Sequence, residues 1–286
     1  MDANFKIIDT HLHLWDPDVL YYPWLQEEAP SLNKKFLLED YTKATNGIPI
    51  DKMIFVQCEC DRNHYLEELN WVSKLALNDP RIQGIVPWAP LEKGDAVQEE
   101  LEFISNNRLV KGIRRIIQHE KNDINFCLRS DFIKGVNLLP RYNLSFEICI
   151  GHIHLANTLK FVKQCPDVSF MLNHIGKPDI KNGLMEPWKK EIKELASFQN
   201  VSCKISGLVT EADLLNWTKE DLRPYFFHIV ECFGIDRLVF GGDWPVVTLA
   251  SSMSCWYETL TELLAEFSLD QKHKLFYSNA EKFYRV

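Results

Sequence analysis

Short apolar segments alternate with amphipathic segments along the chain, and this alternation limits the fold more than any other feature of the sequence. The apolar segments are rich in Val, Ile, Leu and Phe, which is typical of strands buried on both faces of a parallel sheet. Eight such segments are present: Phe5–Asp9, Met53–Gln57, Ile82–Val86, Val110–Ile117, Leu144–Cys149, Val168–Leu172, Val201–Ile205 and Arg237–Gly241.

The segments between these strands have helical spacing. His64–Asn78, for example, places Leu66, Leu69, Val72 and Leu75 on one side of a helix. Similar patterns cover Asp95–Asn107, Phe126–Leu138, Asn157–Gln164, Pro187–Ser197, Leu222–Phe233, Trp256–Phe267 and Leu269–Phe283. The chain is therefore predicted to be an α/β protein. A doubly wound sheet gives the same alternation, but eight repeats in 286 residues favour a closed (β/α)₈ TIM barrel, forming a single domain over 1–286.

Charge and composition argue against several kinds of partner. The net charge of −8 argues against binding to nucleic acid or to an anionic membrane surface. No apolar run reaches the ~20 residues of a membrane span. The N-terminal segment has no basic stretch followed by an apolar one, so we expect a cytoplasmic protein with a small-molecule partner. The eight cysteines are scattered, several of them in apolar segments, and are predicted to be reduced thiols in the core.

Polar side chains recur directly after the predicted strands, where a barrel carries its active site. His11 and His13 follow the first strand, His174 follows the sixth and Asp243 follows the eighth. The His-x-His spacing puts both imidazoles on one face, where they could hold a divalent metal or donate hydrogen bonds to a substrate oxygen. Asp243 could accept a proton from an attacking water or bind the metal. The alternative is that all four side chains only cap loops.

Other polar side chains on the middle strands suggest a substrate-binding surface. Arg114, Glu147 and Lys204 lie on strands four, five and seven, and we assign them to substrate binding. Arg114 and Arg115 should point opposite ways, and the sequence does not show which faces the pocket. A second His-x-His pair follows strand five; its His154 is a further substrate-binding candidate, or else begins the next loop.

One irregular segment, Trp15–Asn33, is rich in proline and aromatic residues and follows the first strand. At that position it could be a lid over the active site. It could equally be a loop that only packs over the barrel.

Several motifs together resemble the amidohydrolase superfamily, in its amidohydrolase-related family, and within it the branch of sugar-acid lactonases for fuconolactone, rhamnonolactone and pyrone-dicarboxylate. They span nearly the whole chain in order: Ile8–Pro17, Tyr22–Trp24, Gly112–Arg114, Asn173–Pro178, Lys204–Leu208 and Gly241–Pro245. The resemblance implies that His11, His13, His174 and Asp243 surround the lactone carbonyl. It also adds Trp24 to the substrate-binding side chains.

Two departures from the family pattern affect how many metal ions we expect the site to hold. Relatives often carry Asp before the strand-six histidine, where this chain has Asn173. Binuclear members use a carboxylated lysine at the end of strand four, whereas Lys111 lies at the start of that strand here. The resemblance therefore implies at most one Zn²⁺, held by His11, His13, His174 and Asp243, and not required in every member.

The predicted activity is hydrolysis of a lactone, by resemblance one derived from a sugar acid, with Asp243 as general base. A metal-dependent decarboxylase of the same superfamily uses a similar set of side chains and is the first alternative. A non-catalytic barrel that serves as a scaffold is the second. The sequence leaves the sugar, the ring size, the stereochemistry and the oligomeric state open.

Overall fold

The computed structural model describes residues 6–120 and 122–286. It contains eight strands in the predicted order: β1 Ile7–Leu12, β2 Ile50–Val56, β3 Ile82–Val86, β4 Gly112–Arg114, β5 Ser145–Ile148, β6 Phe170–Leu172, β7 Val201–Ile205 and β8 Leu238–Phe240. Phe5, the predicted start of the first strand, lies outside the described residues. Because β1 continues to Leu12, His11 lies on the strand itself rather than after it.

Every pairing between the eight strands is parallel. Hydrogen-bonded ladders order them β1-β2-β3 and β4-β5-β6-β7-β8. A parallel bridge between Ile85 and Val110 joins β3 to the segment before β4, and one between Leu12 and Trp244 joins β1 to the segment after β8. The strands thus follow one another around the sheet in chain order, and the predicted (β/α)₈ barrel is confirmed.

Helices cover the outside of the sheet. Their bounds are α1 Pro23–Glu27, α2 Leu38–Ala44, α3 Tyr65–Asn78, α4 Gln98–Ser105, α5 Ser130–Asn137, α6 Leu155–Lys163, α7 Trp188–Leu195, α8 Lys219–Phe233, α9 Met253–Leu263, α10 Leu269–His273 and α11 Asn279–Tyr284. A π-helical turn, Lys274–Ser278, joins α10 to α11. Among the described residues, no helix combines the length and the apolar character of a membrane span.

Local sequence explains where the long helix α8 begins and ends. The backbone N–H of Thr218 donates to Asp221 Oδ2 at 2.7 Å, which satisfies a donor that the helix cannot pair. Gly234 ends the helix with φ of +66°, a backbone conformation that costs glycine little. The buried side of α8 carries Phe226 and Ile229, as its helical spacing predicts.

The segment Trp15–Asn33 packs as part of the core. Trp15 and Leu25 are fully buried, and the Trp15 indole Nε1 donates to the Lys34 carbonyl at 2.9 Å. Five of its residues form the short helix α1, which the sequence patterns did not predict. The segment is thus packed over the barrel in this structure, and its Trp24 also lines the pocket described below, so both alternatives stay open.

Candidate active site

Three imidazoles and one carboxylate converge at the carboxyl end of the barrel. Asp243 Oδ1 lies 3.6 Å from His11 Nε2 and 3.6 Å from His13 Nε2, and Asp243 Oδ2 lies 3.9 Å from His174 Nδ1. The ring centroids of His11 and His174 are 4.5 Å apart. All four side chains are nearly inaccessible to solvent. The structure therefore brings together the four side chains that were selected by the strand-end rule, which places the active site of a barrel at the carboxyl ends of its strands.

Backbone strain is concentrated around this cluster. Outside glycine, φ between +47° and +57° occurs at seven described residues. Five of them lie in or next to the pocket: Glu59, His174, Ile175, Lys177 and Asp243. Such conformations are unfavourable for side chains with a Cβ and persist where the surrounding structure enforces them, often at functional sites.

The buried carboxylate of Asp9 links the end of β1 to the segment that follows β8. Its Oδ1 accepts hydrogen bonds from the backbone N–H of His11 at 3.0 Å and of Gly242 at 2.8 Å, and its Oδ2 accepts from Tyr41 Oη at 2.8 Å. A Cβ at Gly242 would lie 2.5 Å from Asp9 Oδ2, so only glycine fits there. Asp9 thereby fixes His11 relative to Asp243.

Hydrogen bonds orient the histidine rings. His13 Nδ1 lies 2.7 Å from the Val56 carbonyl, which can only accept, so its Nε2 keeps a lone pair toward Asp243. Arg114 Nη1 lies 3.2 Å from His11 Nε2, and because arginine only donates, that nitrogen is also an acceptor. His174 Nδ1 is 2.9 Å from Ser206 Oγ.

The electrostatics favour neutral rings around a charged carboxylate. Burial lowers the pKa of His13 and places the pKa of His11 and His174 well below the ordinary histidine value. Burial opposes ionisation of Asp243, but the neighbouring His174 and His13 together with the Lys177 ammonium outweigh it, so its pKa stays below the usual aspartate value. Neutral imidazoles and an ionised carboxylate are the forms in which these side chains bind metals.

The cluster has the spacing of a metal site. One ligand atom each from His11, His174 and Asp243 lie within 4.8 Å of one another. Two ligands at the usual zinc bond length of about 2.0–2.1 Å sit about 3.3 Å apart in a tetrahedral site. The 3.6 Å separations from Asp243 Oδ1 to His11 and His13 are close to this value and too long for hydrogen bonds. The residues present therefore fit one divalent ion.

A pocket of about 270 Å³ opens in front of the cluster. Arg114 lies in its wall, whereas Arg115 points away and pairs with Glu92 and Glu120. Its lining also includes the side chains of His13, Trp24, Cys58, Glu59, Gln118, His119, Cys149, His174, Lys177, Glu211 and Asp243. His11 lies directly behind this wall and is fully buried.

Lys204 and Glu147 do not reach the pocket, so the expectation that they bind substrate is corrected. Both are fully buried, and Lys204 Nζ lies 2.9 Å from Glu147 Oε2 and donates to the Thr10 carbonyl at 2.7 Å. Glu147 also accepts hydrogen bonds from Asn173 Nδ2 at 2.8 Å and from Tyr284 Oη at 2.5 Å. This buried pair, on β5 and β7, supports β1 from inside the barrel. Asn173 donates to a carboxylate, which an aspartate in its place could not do while ionised.

The second histidine pair does not join the site, and the expectation for His154 is corrected as well. His154 is buried outside the pocket lining, with its Nδ1 3.2 Å from the Gly151 carbonyl. His152 Nδ1 lies 3.2 Å from the Lys177 carbonyl. Both side chains belong to the loop after β5, which is one of the two alternatives left open by the sequence.

Several pocket residues were not among the predicted site residues. Glu59 and Cys58 follow β2, and Glu211 follows β7. All of them obey the same strand-end rule as the predicted site, so the rule applied to β2 and β7 would have found them. Lys177 Nζ lies 3.6 Å from Glu211, and neighbouring acidic groups raise the pKa of Lys177 although burial opposes this.

A buried carboxyl behind the pocket wall gives a pH-dependent prediction. Glu68 on α3 accepts a hydrogen bond from the Cys58 N–H at 3.1 Å, and burial raises its pKa to about 8. A raised carboxyl pKa favours folding while the group is protonated, and this contribution is lost as pH rises from about 4.3 toward 8. We expect Glu68→Gln to match the wild type in unfolding free energy at pH 4 and to exceed it by a few kcal/mol at pH 8. Urea unfolding at both values measures this, and equal pH profiles would contradict it.

The fold and this cluster define a barrel with a mononuclear-type histidine–aspartate site at its carboxyl rim. Residues 8–286 match the amidohydrolase family model, and the chain belongs to that family. The protein is thus an enzyme of the amidohydrolase kind. It is 29% identical over 258 residues to an L-fucono-1,5-lactonase of Burkholderia multivorans, covering 86% of this chain and 84% of that protein.

Two further comparisons extend over the whole barrel. An L-rhamnono-gamma-lactonase of Scheffersomyces stipitis is 24% identical over 339 residues, which covers 99% of this chain and 100% of that protein. A crystal structure of an amidohydrolase from Burkholderia multivorans with bound zinc superposes with a TM-score of 0.88 at 25% identity, covering 98% of this chain and 99% of that one.

Proposed function

We propose that this protein hydrolyses the lactone of a sugar acid. The observation that carries the proposal is the convergence of Asp243 with three histidine rings at 3.6–3.9 Å, facing a pocket that also presents Arg114 and Lys177. A carboxylate in this position can accept a proton from water, and the cations beside it can stabilise negative charge on a carbonyl oxygen. Similarity to a fuconolactonase and a rhamnonolactonase supports a sugar-derived lactone.

In this mechanism Asp243 removes a proton from a water molecule as the water oxygen forms a bond to the lactone carbonyl carbon. Arg114, whose Nη1 faces His11 at 3.2 Å, donates to the carbonyl oxygen as it becomes negative. The bond between the carbonyl carbon and the ring oxygen then breaks. Asp243 returns its proton to that oxygen, which leaves a hydroxy acid and restores the carboxylate.

A zinc ion would be held by His11, His13, His174 and Asp243. When bound, it would supply positive charge to polarise the carbonyl and to lower the pKa of water. All three rings are neutral, as metal ligands must be, and the His11 Nε2 lone pair, which accepts from Arg114 in this structure, would have to be released for this role. Lys204 and Glu147 act as positioning residues, because Lys204 donates to the Thr10 carbonyl next to His11.

A panel of five- and six-membered aldonolactones with a pH indicator tests the proposal, because each ring opening releases an acid. We expect turnover of at least one member well above the background rate. Elemental analysis, with activity before and after chelation, is run alongside. No turnover on the panel, together with metal-dependent release of CO₂ from aromatic acids, would favour a decarboxylase instead, and no reaction of either kind would favour a scaffold.

A further inference from the structure

A second opening adjoins the inner pocket on the side of β2. It is a groove of about 320 Å³ lined by residues of the loops after β1 and β2 and by His119 of the loop after β4. Four side chains line both the inner pocket and this outer groove: Trp24, Glu28, Glu59 and His119. A substrate that reaches Asp243 from this side must therefore pass between them.

Glu59 is held firmly at this boundary. Its backbone has φ of +52°, and its N–H donates to Gln57 Oε1 at 2.6 Å. Gln57 Nε2 in turn donates to Glu59 Oε1 at 2.6 Å. This reciprocal pair fixes one carboxylate oxygen of a side chain that is only 16% exposed.

The other carboxylate oxygen is free to accept hydrogen bonds. Glu59 Oε2 lies 3.8 Å from His119 Nδ1, which is beyond hydrogen-bond length. Among the described residues, no hydrogen bond to this oxygen is present. Gln118 Nε2 lies 3.1 Å from His119 Nε2, so that nitrogen accepts and the ring proton is on Nδ1, toward Glu59. The acceptor Glu59 Oε2 and the donor His119 Nδ1–H thus face each other at 3.8 Å in the pocket lining, with no hydrogen bond between them.

We propose that Glu59, together with His119, is a specificity determinant that binds hydroxyl groups of a neutral lactone and excludes lactones bearing a carboxylate or sulfonate. The inference rests on the proposed lactone hydrolysis and adds the substrate class. An ionised carboxylate only accepts hydrogen bonds, so it pairs with hydroxyl donors and repels anions. Burial opposes ionisation of Glu59, but the neighbouring His119, Gln57 and Arg114 lower its pKa, which supports the ionised state.

The alternative is that Glu59 acts only through the loop. Gln57 bonds to Glu59, and the Gln57 carbonyl accepts from Arg114 Nη2 at 2.5 Å. A purely structural role would change the rates on all lactones by the same factor. Specificity for hydroxyl groups would change their ratio.

The test compares three lactones: the best aldonolactone of the panel, an unsubstituted δ-lactone and a lactone carrying a carboxylate. We expect Glu59→Gln to raise KM for the aldonolactone about tenfold with kcat nearly unchanged, since a lost charge-assisted hydrogen bond costs about that factor. The rate on the unsubstituted lactone should stay within about twofold, and the rate on the carboxylated one should rise. Glu59→Asn, which tolerates the left-handed backbone, should give the same pattern if Glu59→Gln folds poorly.

Glu27→Gln is the matched control, because Glu27 lines only the outer groove and is exposed. It should leave all three rates unchanged. An equal loss on all three lactones in both Glu59 variants would overturn the inference while leaving lactone hydrolysis intact. A wild-type protein that opens no lactone would instead overturn the proposed function itself.

Discussion

Replacing Asp243 by asparagine is expected to lower kcat for lactone hydrolysis by about 10²–10⁴-fold, the usual contribution of a positioned general base. The amide is nearly the same shape as the carboxylate but cannot take a proton from water. Because the lowered pKa of Asp243 keeps it ionised at neutral pH, the wild-type base is fully available there. Steady-state rates on the best lactone of the panel measure the effect, with KM expected to change much less than kcat.

The metal content of the variant separates the two roles of this residue. If Asp243→Asn retains the wild-type metal content and loses turnover, the base role is supported. If metal and activity are lost together, Asp243 serves only to hold the ion. His13→Asn is a useful comparison, because His13 lies 3.6 Å from the same carboxylate oxygen but has no role as base in this mechanism.

The second large effect concerns stability. Replacing Lys204 by methionine is expected to destabilise the protein by about 3–5 kcal/mol, because it leaves Glu147 charged and unpaired in the barrel interior. Both side chains are fully buried, so water cannot compensate for the lost partner. Urea unfolding at neutral pH gives the free energy directly.

A double variant is the control for this effect. Combining Lys204→Met with Glu147→Gln removes both charges and keeps an oxygen that can accept from Tyr284. Most of the lost stability should return, since replacing a buried ion pair by neutral groups costs far less than breaking it. A double variant as unstable as the sum of its single variants would contradict this interpretation of the pair.

Much of the fold follows from the sequence for physical reasons. Apolar runs with β-branched residues favour buried strands, and eight of them alternating with helical spacing leave few architectures. The sequence patterns did not predict helices α1 and α2, because each is short and lies in or near a proline-rich segment without helical periodicity. Strand β4 is shorter than the predicted Val110–Ile117. Only Gly112–Arg114 pairs regularly with β5, whereas the amides of Ile117 and Gln118 both donate to the Cys149 carbonyl.

The site residues that lie just after the carboxyl ends of strands could be predicted from the sequence. His174 and Asp243 follow their strands directly, and that position alone places them at the carboxyl rim. Lys204 and Glu147 show the limit of this reasoning. Period-two alternation gives the face of the sheet on which a side chain lies, but not its depth along the barrel axis. Both residues are fully buried outside the pocket lining, where they contact each other rather than a substrate.

The catalytic use of the rim cluster is tested most directly by following one aldonolactone in H₂¹⁸O with wild-type protein and with Asp243→Asn at equal metal content. We predict that the wild type places one ¹⁸O in the product carboxylate far faster than the uncatalysed reaction, and that the variant falls toward the background rate. Equal incorporation by both proteins, or a wild-type product that has lost CO₂ instead of gaining water, would contradict it.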